Sequence, residues 1–359
     1  MSNYTKKLTV VLFPVAAVFV ALCIGSILIF SIGINPIDAY RIMFKGIAEN
    51  RYAIGTVFVK ATPLFITGMG LAYAFRAGIF NIGAEGQIYF GALFGTMVGI
   101  LDLGIPAPLH IFICLIASFI GGGIWASIPG FLKAKYSVNE IITTILMNYI
   151  SSNLITYLAR GPLRDNQKSL AAPQQTAEVM KSARLPIIIQ GTRLHFGFVI
   201  AIIMMIVLAF VMYRTSFGFK CKLVGLNPEA SRYAGLNVIS LGVLAMVISG
   251  GLCGVAGTIE ILGVQRRLRG SFIGNTGFKA IAVALLGKNN PIAILFTSLL
   301  FGALEVGANS MESLAGVPSP IIETIQSIVI FLIALGALFE PKEKLKKSKD
   351  QENDPEVVK

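Results

Sequence analysis

Charge is scarce in this sequence: only 13% of its 359 residues are Asp, Glu, Lys or Arg, where a soluble chain carries about 25%. So little polar surface cannot cover a water-soluble globule, which excludes a compact soluble enzyme. Cysteine is equally thin. Cys23, Cys114, Cys221 and Cys253 form no CxxC pair, so neither a disulfide framework nor a zinc site is signalled. His110 and His195 stand alone, and a metal centre built on histidine lacks its ligands. No catalytic or nucleotide motif is present. The nearest approach to a P-loop, Leu286-Gly287-Lys288-Asn289, lacks the first glycine and the hydroxyl that would hold magnesium. If the protein moves a solute uphill, the energy comes from a partner or from an ion gradient.

What is abundant is apolar sequence, at 55% of residues with a mean hydropathy of +0.76. It is written as continuous blocks, whereas a transmembrane β-barrel would alternate. At roughly 20 residues per span, the blocks at 8–34, 55–74, 78–101, 109–131, 137–159, 196–213, 237–262, 272–287, 291–309 and 320–339 predict ten transmembrane helices. The first resembles a signal peptide in its basic start, but it is too long and is read as a retained span. The fold class is therefore all-α and polytopic.

The net charge of +12 invites a nucleic-acid partner, but no basic patch interleaved with aromatics occurs. The basic residues sit at block ends, as the positive-inside rule requires. With the N-terminus inside, inner segments hold Lys6, Lys7, Arg76, Lys133, Lys135, Arg214, Lys220, Lys222, Arg232, Lys288 and six tail lysines. The outer positive residues are fewer, and many lie in one long loop, which weighs little in this rule. An N-in, C-in topology follows. Residues 1–341 form the membrane domain, with an extracellular cap at about 160–195 and a cytoplasmic loop at about 214–237; 342–359 form a charged tail. Arg266, Arg267 and Arg269 are an awkward outer cluster that suits a re-entrant or surface helix.

Two segments carry polar groups at membrane depth, where they are costly and often mark a pathway. In Gly78-Ile-Phe-Asn-Ile-Gly-Ala-Glu-Gly-Gln87, Asn81 and Glu85 are four apart and would share a helix face. Glycines beside them permit close approach or a broken helix. Glu85 either lines a path or pairs with a basic neighbour such as Arg76. In the second segment, Glu140, Thr144, Asn148 and Ser152 recur every fourth residue as a polar stripe, either a path lining or interhelical glue. Gly91, Gly95 and Gly99, like Gly250 and Gly254, suit close helix packing. Glu260, Lys279, Glu305 and Glu323 also fall in or near spans, with partners the sequence does not reveal. In the loop before Asn237, Asn227 caps a short helix begun by Pro228, with Glu229 at its positive end. Such a helix between spans either faces a soluble partner or is an ordinary interfacial helix.

The segment Leu71–Gln87, together with Ser137–Tyr149, Asn227–Gly235 and Gly277–Gly287, resembles ABC-transporter permeases of the branched-chain amino acid, ribose and nucleoside importer superfamily. Within it the wording is closest to nucleoside permeases served by a basic-membrane-protein-type lipoprotein receptor. The resemblance covers about residues 55 to 335 and implies a vitamin-B12-importer-like (type II) membrane fold in a bacterial cell membrane. It implies a second permease, usually a different one, a cytoplasmic ATPase that uses ATP and magnesium, and a surface lipoprotein that delivers solute. This chain itself would bind no cofactor and catalyse nothing. The family's coupling helix falls on Asn227, Pro228, Glu229, Ala230, Arg232 and Gly235. Phe80, Asn81, Glu85, Gln87, Glu140, Thr144 and Asn148 are the candidates for a nucleoside path. A pentose importer of the same family is the alternative; an ion-coupled transporter working through Glu85 or Lys279 is a rival of another class.

Overall fold

The computed structural model describes residues 19–165, 175–270 and 272–338. The first half of the predicted first span, the charged tail and part of the 160–195 loop lie outside them. The described residues are helical apart from turns, and contain two isolated bridges, Arg164 with Thr176 and Ile187 with His195. The helices are α1 (Phe19–Ser31), α2 (Pro36–Ala48), α3 (Arg51–Arg76), α4 (Ala84–Gly99), α5 (Ala107–Tyr136), α6 (Glu140–Arg160) and α7 (Gly197–Arg214). They continue as α8 (Ser216–Leu226), α9 (Pro228–Tyr233), α10 (Val238–Glu260), α11 (Thr276–Leu286), α12 (Pro291–Ala315) and α13 (Ser319–Leu338). Six of the described helices, α3, α5, α6, α7, α10 and α12, are long and apolar enough to cross a membrane. The protein is thus an all-α, polytopic membrane chain.

One residue type caps six of these thirteen described helices. Asn35, Asn50, Asn139, Asn227, Asn237 and Asn290 each sit at an N-cap, and each side-chain oxygen accepts a backbone N–H of the first turn. Three of them are followed directly by proline, whose missing N–H costs nothing at that position. In a bilayer such caps matter more than in water, because no solvent satisfies the free donors.

At the centre, α10 packs along α5 and α4 through small residues. A Cβ added to Gly91 would lie 2.1 Å from the Gly254 Cα, and one added to Gly122 2.2 Å from the Gly250 carbonyl. These backbones touch because no side chain separates them, the arrangement by which membrane helices gain dispersion contacts that lipid cannot supply. Gly95 meets Thr258 in the same way.

Several boundaries depart from the sequence expectations. The block at 78–101 becomes helical only at Ala84, and that at 272–287 only at Thr276. The helix α2 was not anticipated. The arginine cluster forms no re-entrant or surface helix: after a π-helical turn (Ile261–Gln265), Arg266 adopts φ 59° and the chain leaves helix altogether. Arg267 then ties this stretch to the 160–195 loop, at 2.7 Å from Asp165 and 3.3 Å from Glu178, while Val179 N–H donates to the Arg266 carbonyl. The described part of the 160–195 loop lies across this stretch and is held by the charge of Arg267 and the carbonyl of Arg266, while Arg269 donates to Gln265.

Candidate functional site

The chain breaks between α3 and α4. Gly78 turns with φ 78°, and residues 79–83 are non-helical until α4 opens at Ala84, with the Gly83 carbonyl accepting the first bond of α4 from Gln87 N–H. Asn81 therefore lies in the break and does not share a helix face with Glu85, contrary to the spacing argument. Its amide knots the break together. Asn81 Oδ1 accepts from Gly83 N–H at 2.9 Å, while its Nδ2 donates to Gln87 Oε1 and to Ser249 Oγ of α10, both at 2.9 Å. All of these side chains are buried. Non-helical backbone at membrane depth persists only where protein satisfies it, and this knot does so.

The α6 stripe completes the wall. Asn148 Oδ1 accepts from Gly86 N–H at 2.8 Å and its Nδ2 donates to the Ile82 carbonyl at 3.0 Å. Ser151, not Ser152, is the fourth member that faces inward; it donates to the Gly86 carbonyl. Thr144 is buried and donates to the Glu140 carbonyl within its own helix. Glu140 forms an ion pair with Lys133 at 2.8 Å where α5 turns into α6. Gly83 and Gly86 are required here, since a Cβ on either would meet Thr144 or Asn148 at 3.0 Å or less. Phe80 differs from its neighbours: its ring is half-exposed and stacks on Phe75 with centroids 4.8 Å apart.

Glu85 does not pair with Arg76. The Arg76 guanidinium lies over the Tyr213 ring, 4.4 Å from its centroid. Instead Glu85 Oε2 accepts the Gly277 N–H at 2.6 Å, at the start of α11. Asn275 occupies the N-cap position of α11 with φ 31° and makes no side-chain cap bond. A carboxylate from α4 thus caps a helix 192 positions later in the chain, placed where the helix dipole favours negative charge. Eleven residues of α11 reach only about 16 Å, roughly half the hydrocarbon thickness.

Beyond these predicted residues, the structure assembles a charged group that sequence reasoning left scattered. Glu305 of α12 receives Lys60 of α3 on one carboxylate oxygen at 2.8 Å and Lys279 of α11 on the other at 3.4 Å. Gly302, one turn below Glu305, lets α12 press on α3: a Cβ there would lie 2.7 Å from the Val57 carbonyl. Glu260, at the end of α10, is within electrostatic reach of Lys60 and Glu305 and accepts from Gln265 at 3.1 Å.

The short helix anticipated after Asn227 is present as α9. Asn227 Oδ1 accepts from Ala230 N–H at 3.0 Å, and Pro228 occupies the first position. Glu229, Ala230, Arg232 and Ala234 are exposed, as is Gly235, which ends the helix with φ 78°. Tyr233 was overlooked: it is 92% exposed at the tip. On the preceding helix, Gly225 lies against the α3–α4 break, where a Cβ would be 2.2 Å from the Arg76 carbonyl.

Long apolar helices, a buried polar break between two of them, a half-height helix and an exposed capped helix are the features of a membrane protein built around polar interior contacts. The comparisons agree. The family described as branched-chain amino acid transport system / permease component matches residues 53–338, and the chain belongs to it. A guanosine ABC transporter permease of Bacillus subtilis is 35% identical over 331 residues, 92% of this chain and 94% of the relative. A glucose ABC transporter permease of Haloferax volcanii is 34% identical over 91% of this chain and 88% of its own length. A nucleoside ABC transporter permease of Lactococcus lactis is 33% identical over 98% of both.

Proposed function

We propose that this chain is one of two permeases that form the transmembrane path of an ATP-driven nucleoside importer in a bacterial cell membrane. What supports it above all is the similarity to the guanosine permease, which runs through 94% of that protein. In this reading the fold is the type II, vitamin-B12-importer-like arrangement with ten spans and both termini inside. The six long apolar helices are joined by α1, α4, α11 and α13. Residues 1–341 are the permease domain and 342–359 the cytoplasmic tail.

The partners are a second, different permease, a cytoplasmic ATPase that uses ATP and magnesium, and a lipoprotein that delivers solute from outside. The ATPase seats α9 in a groove: Ala230 and Ala234 admit close contact, while Glu229 and Arg232 set the orientation. Closure of the ATPase on nucleotide draws α9 inward and favours one of two permease arrangements. Only a difference in free energy between those arrangements with nucleotide bound drives transport. Phe80 offers an aromatic face to the solute, and Asn81, Glu85, Gln87, Glu140, Thr144 and Asn148 hold the wall around it through the bonds described above.

The similarity to a glucose permease favours a second reading, a simple-sugar importer. Uptake of labelled nucleosides, pentoses and glucose by a deletion strain, with and without this gene restored, separates the two. Gene-dependent nucleoside uptake supports the first reading, sugar uptake alone moves the assignment to the second, and no gene-dependent uptake of either overturns both.

A further inference from the structure

The ion cluster of Lys60, Glu260, Lys279 and Glu305 has no counterpart among the polar groups assigned above. It lies deep: Lys60 is nine residues into α3 and Glu305 ten residues before the end of α12, each about 14–15 Å from its helix end at 1.5 Å per residue. Charges at that depth are costly against lipid and face a partner or a hydrated path. Their tips are not sealed. The side chains of Lys60, Lys279 and Glu305 remain 37%, 22% and 21% exposed, with both lysines in contact with the one carboxylate. A structural ion pair optimised for burial would close over these groups, because an exposed pair contributes little to stability.

We infer that Lys60, Lys279 and Glu305 form a recognition site for the vicinal hydroxyls of the transported solute, with Glu260 buried behind them. This rests on the importer reading. The chemistry of the cluster selects among solutes. Each ammonium has N–H donors left after meeting Glu305, and each Glu305 oxygen keeps acceptor capacity. A hydroxyl both donates and accepts, so two adjacent hydroxyls bridge the alternating carboxylates and ammoniums with no charge left uncompensated. An anionic solute would meet Glu260 and Glu305, with Glu85 within electrostatic reach of Lys279. A cationic solute would meet two lysines. A neutral polyol is the class that the balance admits, whether it arrives as the ribose of a nucleoside or as a free sugar.

The test uses the complete transporter in cells, with its own receptor unchanged, so that altered selectivity arises in the permease. Uptake of a ribonucleoside is compared with that of its 2′,3′-dideoxy form, and uptake of glucose with that of a dideoxyhexose. These are measured for the wild type and for Glu305→Gln and Lys279→Gln. Lys279→Gln leaves the Lys60–Glu305 contact in place, which keeps the test open if Glu305→Gln fails to insert; permease abundance is measured alongside. The expected result is a loss of about tenfold or more for the hydroxylated solute, the size of one hydrogen bond to a charged group. Uptake of the dideoxy form changes little, so the ratio collapses in whichever pair the wild type carries. An equal loss of both forms at normal abundance, or an unchanged ratio, overturns the site while leaving the importer reading intact. No uptake of either hydroxylated solute by the wild type overturns the importer reading and the site with it.

Discussion

The contact between Glu85 and α11 is the sharpest place to perturb this protein. Glu85 Oε2 is 2.6 Å from Gly277 N, and α11 has no side-chain cap of its own. Alanine at 85 removes the acceptor and leaves a buried donor unmatched, a cost of about 1.5–3 kcal/mol for a bond to a carboxylate. Glutamine keeps an oxygen in the same place and loses the interaction of charge with the helix dipole, about 1 kcal/mol. The order of stability is therefore wild type, then Glu85→Gln, then Glu85→Ala. The interval between the variants, about 1 kcal/mol, is a several-fold change in the folded fraction at a fixed temperature near the midpoint. It is measured on detergent-solubilised transporter as the monodisperse fraction surviving a heat series. Transport by Glu85→Gln falls more than its stability, because α11 also carries Lys279. Equal destabilisation by glutamine and alanine, or none by alanine, would refute the cap. The reciprocal change Glu85→Arg with Arg76→Glu recovers nothing, since Arg76 is occupied with Tyr213; recovery of uptake would restore the pairing alternative.

Three further outcomes are expected. Tyr233→Ala, which removes an exposed aromatic anchor of the kind that dominates interfaces, lowers ATPase co-purification by about tenfold or more. Ala230→Trp abolishes it, whereas Glu229→Arg has a milder effect, and membrane insertion is normal throughout; unaltered co-purification in all three would remove α9 from the interface. In a cysteine-free background, Lys181→Cys reacts with an impermeant thiol reagent in intact cells and Lys222→Cys only after permeabilisation, both positions being exposed. Labelling in the opposite sense inverts the topology. Cys221 cannot report it, because the residue is buried. Burial lowers His195 to about 4, against about 6.5 in the unfolded chain, so the unfolded state binds the proton first. Its contribution to stability is complete above about pH 6.5 and is lost as pH falls toward 4; thermal midpoints of wild type and His195→Asn converge over that window, and parallel pH curves would disprove it.

Much of the architecture was legible because membrane helices are written in runs that local composition reveals. The caps were legible for the same reason: Asn227 followed by Pro228 announces a helix start with no knowledge of tertiary structure. Asn81 was misplaced because a four-residue spacing implies a shared face only if the helix is continuous, and Gly78 and Gly83 end that continuity. Glu85 drew attention as a lone carboxylate, but its partner is a backbone N–H, to which sequence gives no name. Lys60 passed unnoticed inside an apolar run, as its partner Glu305 lies on a helix far along the chain. Tyr233 was lost among the polar residues of a short loop, where only its exposure distinguishes it.

The meeting of Gly78 with Gly225 determines how force travels. Two main chains touch there, 2.9 Å from the Cβ that Gly78 lacks to the Gly225 Cα, so the joint contains no side chain able to swing aside and absorb displacement. One residue separates Gly225 from Asn227, the cap of α9, and two residues separate Gly78 from Asn81. A displacement of α9 would therefore act as through a rod of fixed length on the broken hairpin, and Glu85 would pass it to the tip of α11. Compliance enters only where flexible side chains begin, at the lysines and carboxylates around Glu305.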